Sequence, residues 1–417
     1  MRTRTDPTKP QSDRPSTSCG SHAPDLCVCE RPRPASRVSI SACSIAPCGY
    51  APVMGAKDLE PSGGRQSKAG VMEGGGYYAA HSAPQEAYGE FGFRWLEEAA
   101  GEIPSPDGDT PLVVADLGAA GGGNSLEPMR RAIAAYRARD PARQVEVVHT
   151  DIASNDFSAL FKLVEGSERS YLRLPGVYAY AAGRSFYERL FPDGALFLGW
   201  SSIAVHWLSQ VPEPIPDQIY TGFATGSVRE ALVARSRSDW EAFLAHRAAE
   251  LRPGGRLIVL GGSRRDDDVS GAEGLMTMVY ESLTSLVAAG SLEAEELRRM
   301  TIPTWNRTAG EFAAPFAGGP LAESLELRRR TAKVLPDAFF AAFEKTGDAA
   351  AYRDAVVGFF HAAFEPSLWS ALDPGRDASN MAAIVGAFRR DLGERVAADP
   401  AAASCTWHVE ILDIARR

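Results

Sequence analysis

The segment Val113-Val114-Ala115-Asp116-Leu117-Gly118-Ala119-Ala120-Gly121-Gly122-Gly123-Asn124-Ser125 constrains the fold more than any other part of this chain. Apolar and small residues lead to an acid, then to a glycine-rich turn, then to a helix start. Such a run reads as a buried strand feeding a loop whose backbone can approach a ligand closely. Asn124 or Ser125 can cap the next helix, and Pro128 suits its first turn. Leu126, Met129, Ile133 and Tyr136 recur on one face of that helix. Strand, glycine turn and helix make the nucleotide-cradling unit of a doubly wound sheet, so the expected fold class is α/β.

The loop chemistry narrows the ligand. A dinucleotide fingerprint needs Gly-x-Gly-x-x-Gly, and Ala119-Ala120 after Gly118 breaks that spacing. This disfavours an NAD-dependent dehydrogenase. Asp116 would repel a pyrophosphate but attracts a cation. S-adenosylmethionine carries a sulfonium and an ammonium group and no phosphate, which makes it the expected cofactor. Residues 145–151 read as the next strand, ending in Asp151. An acid there typically accepts hydrogen bonds from ribose hydroxyls, although it lies farther from the loop than the roughly 20 residues of the dinucleotide pattern. Further on, Pro253-Gly254-Gly255 precedes an apolar run to Leu260. Such a turn before a late strand is frequent in Rossmann-like methyltransferases, but it is also a generic turn signal.

Several segments then occur in a specific order. Met72-Glu73-Gly74-Gly75-Gly76-Tyr77-Tyr78-Ala79-Ala80-His81-Ser82-Ala83-Pro84-Gln85 comes first, followed by residues 115–124. Asp151-Ile152-Ala153-Ser154-Asn155-Asp156-Phe157 follows, then Ser185-Phe186-Tyr187-Glu188-Arg189-Leu190-Phe191-Pro192. Ser201-Ser202-Ile203-Ala204-Val205-His206-Trp207-Leu208-Ser209-Gln210-Val211-Pro212 closes the series. In this order they resemble the plant-type carboxyl methyltransferases of the SABATH family, which act on salicylate, benzoate, jasmonate and indole-acetate. The resemblance runs from about Val71 to the carboxyl terminus and is weakest in the middle of the second half. It implies a Rossmann-like class I methyltransferase sheet with an inserted helical cap. The chain departs from the family at His81, usually Asn, at Glu73, often Lys, and at Trp200, commonly His. Its first motif is also about three residues shorter.

The resemblance implies roles residue by residue. Ser82, Asp116, Gly118, Asn124, Asp151, Ile152, Ser185 and Phe186 would hold S-adenosylmethionine, with Asp151 at the ribose and Phe186 at the adenine face. Gln85 and Trp207 would orient a substrate carboxylate through side-chain N–H groups. Ile203, His206 and Trp305 would shape the rest of the pocket. Read without the family, Trp207 is an ordinary core residue, His206 is as readily a core or helix-surface histidine as a pocket-lining one, and Gln85 is a surface residue near a helix start. Asn155 and Asp156 read as a turn and helix cap, and Tyr187 and Phe191 as core. The implied product is the methyl ester of a small aromatic or apolar acid. A carboxylic acid with pKa near 4 is already ionised at neutral pH, so no catalytic base is expected. N-methylation of a small heterocycle is the nearest alternative, and a cofactor-binding pseudoenzyme or regulator is another.

Composition sets outer limits. The 417 residues are 45% hydrophobic with a formal net charge of -9, which supports a large core and argues against a nucleic-acid partner. No apolar run approaches the roughly 18 residues of a membrane span. Residues 1–69 are rich in Pro, Ser, Arg and Gly and hold Cys19, Cys27, Cys29, Cys43 and Cys48. They are expected to be a disordered or mis-assigned leader, with translation starting at Met54 or Met72. No metal site is expected there. Cys405 alone remains in residues 70–417, so a cytoplasmic setting is expected. The helical cap is expected over residues 211–238 and 271–343, with helices at 239–251, 275–289, 292–300, 321–343 and 352–364. An edge strand is expected at 405–415. Family habit suggests a homodimer, by analogy only.

Overall fold

The computed structural model describes Glu73 and residues 83–417, except for the side chains of residues 83–86 and 88. The described residues lie within one compact unit, Arg65–Arg417. The expected leader and its start at Met54 or Met72 fall outside the described residues, as do Ser82 and the side chain of Gln85.

Helix α1 (Ala83–Glu102) leads to β1 (Leu112–Leu117), α2 (Leu126–Arg137), β2 (Val145–Asp151), α3 (Phe157–Gly166) and β3 (Val177–Gly183). Then come β4 (Leu196–Ser202), α4 (Gly226–Glu250), β5 (Leu251–Ser263) and α5 (Glu273–Ala288). The main elements end with β6 (Leu325–Leu335), α6 (Ala338–Thr346), α7 (Ala349–Ala363), α8 (Ala378–Ala398) and β7 (Trp407–Arg416). The strands form one sheet in the order β3-β2-β1-β4-β5-β7-β6. Strands β1 to β5 run parallel, and β7 lies antiparallel between β5 and β6. Strand order reverses between β1 and β4, so a ligand crevice opens beyond their carboxyl ends.

The glycine-loop unit forms as its residues dictate. Strand β1 is almost wholly buried, as a parallel strand covered on both faces must be. Leu126, Met129, Ile133 and Tyr136 of α2 are all buried in one core with it. Ser125 holds the N-cap position, but its side chain makes no capping bond. Asp156 does cap α3, accepting from the Ala159 N–H at 2.9 Å. Helix α1 crosses the same layer, and Gly92 lets the Trp200 ring come within 2.9 Å of where a Cβ would stand.

The second half differs from expectation in four places. The helix expected from residue 239 begins at Gly226, so no boundary between cap and core falls at Ser238. The expected helix at 321–343 contains β6 instead. There Leu325, Leu327, Arg329 and Thr331 turn inward with a period of two, and the exposed charges blunt the sheet edge. Arginine-rich runs suit either structure locally. What decides is Asp413, which accepts from Arg329 at 2.8 Å across the β6–β7 pair. Strand β7 forms as expected but is an interior strand, because β6 covers it. Finally, the helical layer does not stop at residue 343. Its core joins α5 to α7 and α8 through Leu275, Val279, Tyr352, Phe360 and Phe388. The Pro253-Gly254-Gly255 turn survives as a bulge. The register steps from Leu196 to Leu198 on β4 but from Leu251 to Arg256 on β5.

No helix among the described residues is long and apolar enough to cross a membrane.

Candidate active site

The loop after β1 turns on Gly118, at φ +90°, and the N–H groups of Gly118 and Ala119 both donate to the Thr150 carbonyl, at 2.9 and 3.0 Å. Ala120 also has positive φ, 47°, which costs a residue with a Cβ roughly 1–2 kcal/mol. Polar partners hold it there from both sides. Its N–H donates to Asp151 Oδ2 at 2.8 Å, and its carbonyl accepts from Asn155 Nδ2 at 2.9 Å. Asp151 Oδ1 accepts from the Ile152 N–H at 2.8 Å. Burial raises the Asp151 carboxyl to about 6, against the opposing pull of these two backbone donors. Each oxygen keeps a second lone pair for a ligand hydroxyl.

Asp116 lies buried at the end of β1, in register with His149 of β2 and Trp200 of β4. Its Oδ2 meets His149 Nδ1 at 2.8 Å, and His149 Nε2 meets the Tyr171 hydroxyl at 2.5 Å. Burial pushes the Tyr171 phenol well above its ordinary value, so it keeps its proton.

A buried ion pair fixes the next wall. Arg247 and Glu250 of α4 meet at 2.8 Å with no exposure. Arg247 also donates to the carbonyls of Phe186 and Glu188 at 2.9 and 3.0 Å, while Glu250 accepts from the Leu190 N–H at 2.6 Å. Phe186 meets the Phe243 ring edge-on at 5.8 Å. The Tyr187 hydroxyl donates to the Trp207 carbonyl at 2.6 Å, tying this loop to the one after β4. That second loop begins at Ile203, whose φ of 51° is a strong outlier for a β-branched residue. Such strain concentrates at ligand sites.

These elements enclose a cavity of about 410 Å³. Asp116, Gly118, Asn124, Asp151, Ile152, Ser185 and Phe186 line it, together with Ile203 and Trp207. The Trp207 indole N–H has no hydrogen-bond partner among the described residues. His206 and Trp305 are not brought to the wall. His206 is buried behind it, and burial lowers its pKa to about 3, which keeps the ring neutral. Trp305 is buried, with the guanidinium groups of Arg264 and Arg229 at 4.5 and 5.4 Å from its ring. The acids Asp116, Asp151, Glu188 and Asp239 and one arginine, Arg235, are among the residues that line the cavity, and the Glu188 carboxylate is held by Arg184 at 2.6 Å. Asp239 itself holds Arg235 at 2.7 Å. A cavity with that balance suits a cationic ligand. Among the described residues no group of His, Cys, Asp or Glu could hold a metal ion.

Sequence reasoning missed His149, Asn155 and Arg247. His149 stood in plain view beside Asp151, but only the strand register pairs it with Asp116. Asn155 reads as turn chemistry until the loop it grips is known. Arg247 and Glu250 carry the one available signal, opposite charges three apart on a helix.

A crevice at a strand-order reversal, rich in carboxylate and walled by a glycine loop, defines the class as a Rossmann-like methyltransferase. Among solved structures, a loganic acid methyltransferase with SAH superposes with a TM-score of 0.66 at 20% identity, covering 83% of this chain and 99% of that one. Residues 67–367 match the family described as SAM dependent carboxyl methyltransferase, and the chain belongs to that family. Gibberellic acid methyltransferase 1 of Arabidopsis thaliana is 32% identical over 232 residues, which are 49% of this chain and 60% of that protein. Indole-3-acetate O-methyltransferase 1 of Oryza sativa subsp. japonica is 31% identical over 278 residues, 58% of this chain and 69% of that protein. The chain thus spans somewhat under two thirds of the length of the first of these relatives.

Proposed function

We propose that this chain transfers a methyl group from S-adenosylmethionine to the carboxylate of a small apolar or aromatic acid, giving a methyl ester. The observation that carries the reading is the carboxylate-rich cavity of about 410 Å³, which pairs a seat for a cation with an indole N–H that has no partner among the described residues. The residues present fit that donor. Asp116 offers an acceptor to its ammonium group, Asp151 offers lone pairs to ribose hydroxyls, and Phe186 offers an aromatic face to adenine. Bound there, S-adenosylmethionine supplies an electrophilic methyl on a sulfonium.

The chain's own task is then aim. Trp207 Nε1–H and the Gln85 amide donate to the acid's carboxylate and leave one lone pair free for the methyl carbon. Neither donor carries full charge, so the nucleophile is oriented without being neutralised. Such positioning can supply several kcal/mol of barrier reduction. No proton has to be removed, because a carboxylic acid is already ionised at neutral pH. Ser82 belongs with the donor-binding residues in this reading, and His206 and Trp305 support the pocket from behind. A cytoplasmic setting and a homodimer complete the proposal.

The test is a panel of acids incubated with methyl-labelled donor, with the ester identified by mass spectrometry. Gibberellic, indole-3-acetic, jasmonic and anthranilic acids, which appear in the relatives' names, belong in it. Ester from at least one acid is expected. Donor binding with no turnover on any of them would leave a cofactor-binding protein and refute the enzyme.

A further inference from the structure

We infer that His149 is a positioning residue for cofactor binding, holding one Asp116 oxygen still so that the other stays open to a cationic group in the cavity. The inference rests on reading the cavity as an S-adenosylmethionine site. It starts from a problem every buried carboxylate faces. An acid taken out of water needs hydrogen bonds, and an acid meant to receive a ligand must keep one oxygen unpaired. Asp116 is buried at the end of β1, yet it lines the cavity. Its Oδ2 is taken by His149 Nδ1 at 2.8 Å, while its Oδ1 has no partner among the described residues.

The histidine is itself fixed. It is fully buried in β2, directly across from Asp116 in the parallel ladder. The Tyr171 hydroxyl, 2.5 Å from Nε2, sits on the far side of the ring. Tyr171 keeps its phenolic proton because burial disfavours the phenolate. With its O–H donated to Nε2, the imidazole proton stands on Nδ1, facing the acid. The relay runs in one direction: Tyr171 O–H to Nε2, then Nδ1–H to Asp116 Oδ2. A leucine of similar size would fill the space and supply neither bond. Apart from the Asp116 and Tyr171 polar atoms that the relay satisfies, β2 is buried by apolar packing through Val145 and Val147. The relay's use is to set the carboxylate's orientation at the cavity.

The test compares His149→Leu, His149→Asn and Tyr171→Phe in the full chain with the parent protein. Calorimetric Kd for S-adenosylhomocysteine and KM for an accepted acid are measured on variants whose thermal melts show a folded state. His149→Leu should raise the cofactor Kd by about tenfold or more, the scale of losing a hydrogen bond to a charged group. The KM for the acid should move far less. The Asn amide can place an N–H near the Nδ1 position, so His149→Asn should recover most of the affinity. A merely structural histidine would not show that rescue. If His149→Leu fails to fold, Tyr171→Phe carries the test, with a smaller rise in Kd expected. An unchanged Kd in folded His149→Leu or Tyr171→Phe overturns the inference, as does an Asn variant as weak as the Leu variant. If the parent itself binds no cofactor, the reading of the cavity fails first, and that result is distinguishable from the others.

Discussion

Replacing Gly118 by alanine tests whether the loop after β1 is built for close backbone approach. Two costs add. Gly118 sits at φ +90°, where an L side chain costs roughly 1–2 kcal/mol. The new Cβ would also stand 2.5 Å from the Ala204 Cβ, a methyl group that has no rotamer in which to retreat. One of the two loops must shift its backbone, which costs roughly 1–3 kcal/mol. The loop after β1 resists, because the Gly118 and Ala119 N–H groups are both tied to the Thr150 carbonyl. Together these give about 2–5 kcal/mol, lost partly from folding and partly from cofactor affinity. Gly121 lies in the same loop with open space around its Cβ position and no positive φ. Gly121→Ala should therefore be neutral or stabilise by up to roughly 1 kcal/mol. Adding Ala204→Gly to Gly118→Ala removes the contact but not the dihedral cost, so it should restore only part of the loss. Urea unfolding and cofactor calorimetry on the four proteins read out each share. A Gly118→Ala protein within roughly 0.5 kcal/mol of the parent and with unchanged Kd would refute the argument.

Asp151 gives the cofactor site a pH dependence. Because burial raises its carboxyl to about 6, affinity should fall as pH drops through that value and one acceptor oxygen is protonated. For the unliganded fold the sign is opposite. A folded value above the unfolded one stabilises at low pH, and that contribution is lost as pH rises through about 6. Asp151→Asn should flatten both profiles, and a parent whose Kd is pH-independent across this range would contradict the assignment. Ile203→Gly should relieve left-handed strain of roughly 1–3 kcal/mol, set against glycine's chain entropy and the lost packing of a side chain that lies on the core. Unfolding should show a loss smaller than the roughly 2–5 kcal/mol of an unstrained core truncation, while the KM for the acid rises; a full-sized loss with unchanged KM would count against it. Arg247→Met should cost about 3–5 kcal/mol, since it strands the Glu250 carboxylate in the core. Denaturant melts check the loss, and partial recovery on adding Glu250→Gln would identify the stranded charge as its cause.

What the sequence made legible, and what it hid, divide along a physical line. The β1–α2 unit could be read because its signals are local: apolar run, acid, glycines, amphipathic period. So could Asp116, Gly118, Asn124, Asp151, Ile152, Ser185 and Phe186 as neighbours, since all stand at the carboxyl ends of strands or just beyond, where an open sheet places its ligand. Strand β6 was illegible because leucines interrupted by arginines satisfy a helix locally, and only the distant Asp413 and the uncovered flank of β7 make a strand the better use of them. His149 was illegible for the same reason in miniature, since its partner Asp116 is 33 positions away and is brought opposite only by register. Of the four non-glycine residues at positive φ among the described residues, Ala120 and Ile203 line the cavity, while the other two, Asp217 and Asp268, do not. Ala120 keeps its backbone there because Asp151 and Asn155 grip its N–H and carbonyl, and Ile203 donates its N–H to the Leu260 carbonyl at 2.8 Å. Strain held at the ligand wall and countered by polar groups from the neighbouring strand and loop is what a preorganised site requires. It is also what a reading based on residue preferences must get wrong, because at those positions preference has been overruled by the surroundings.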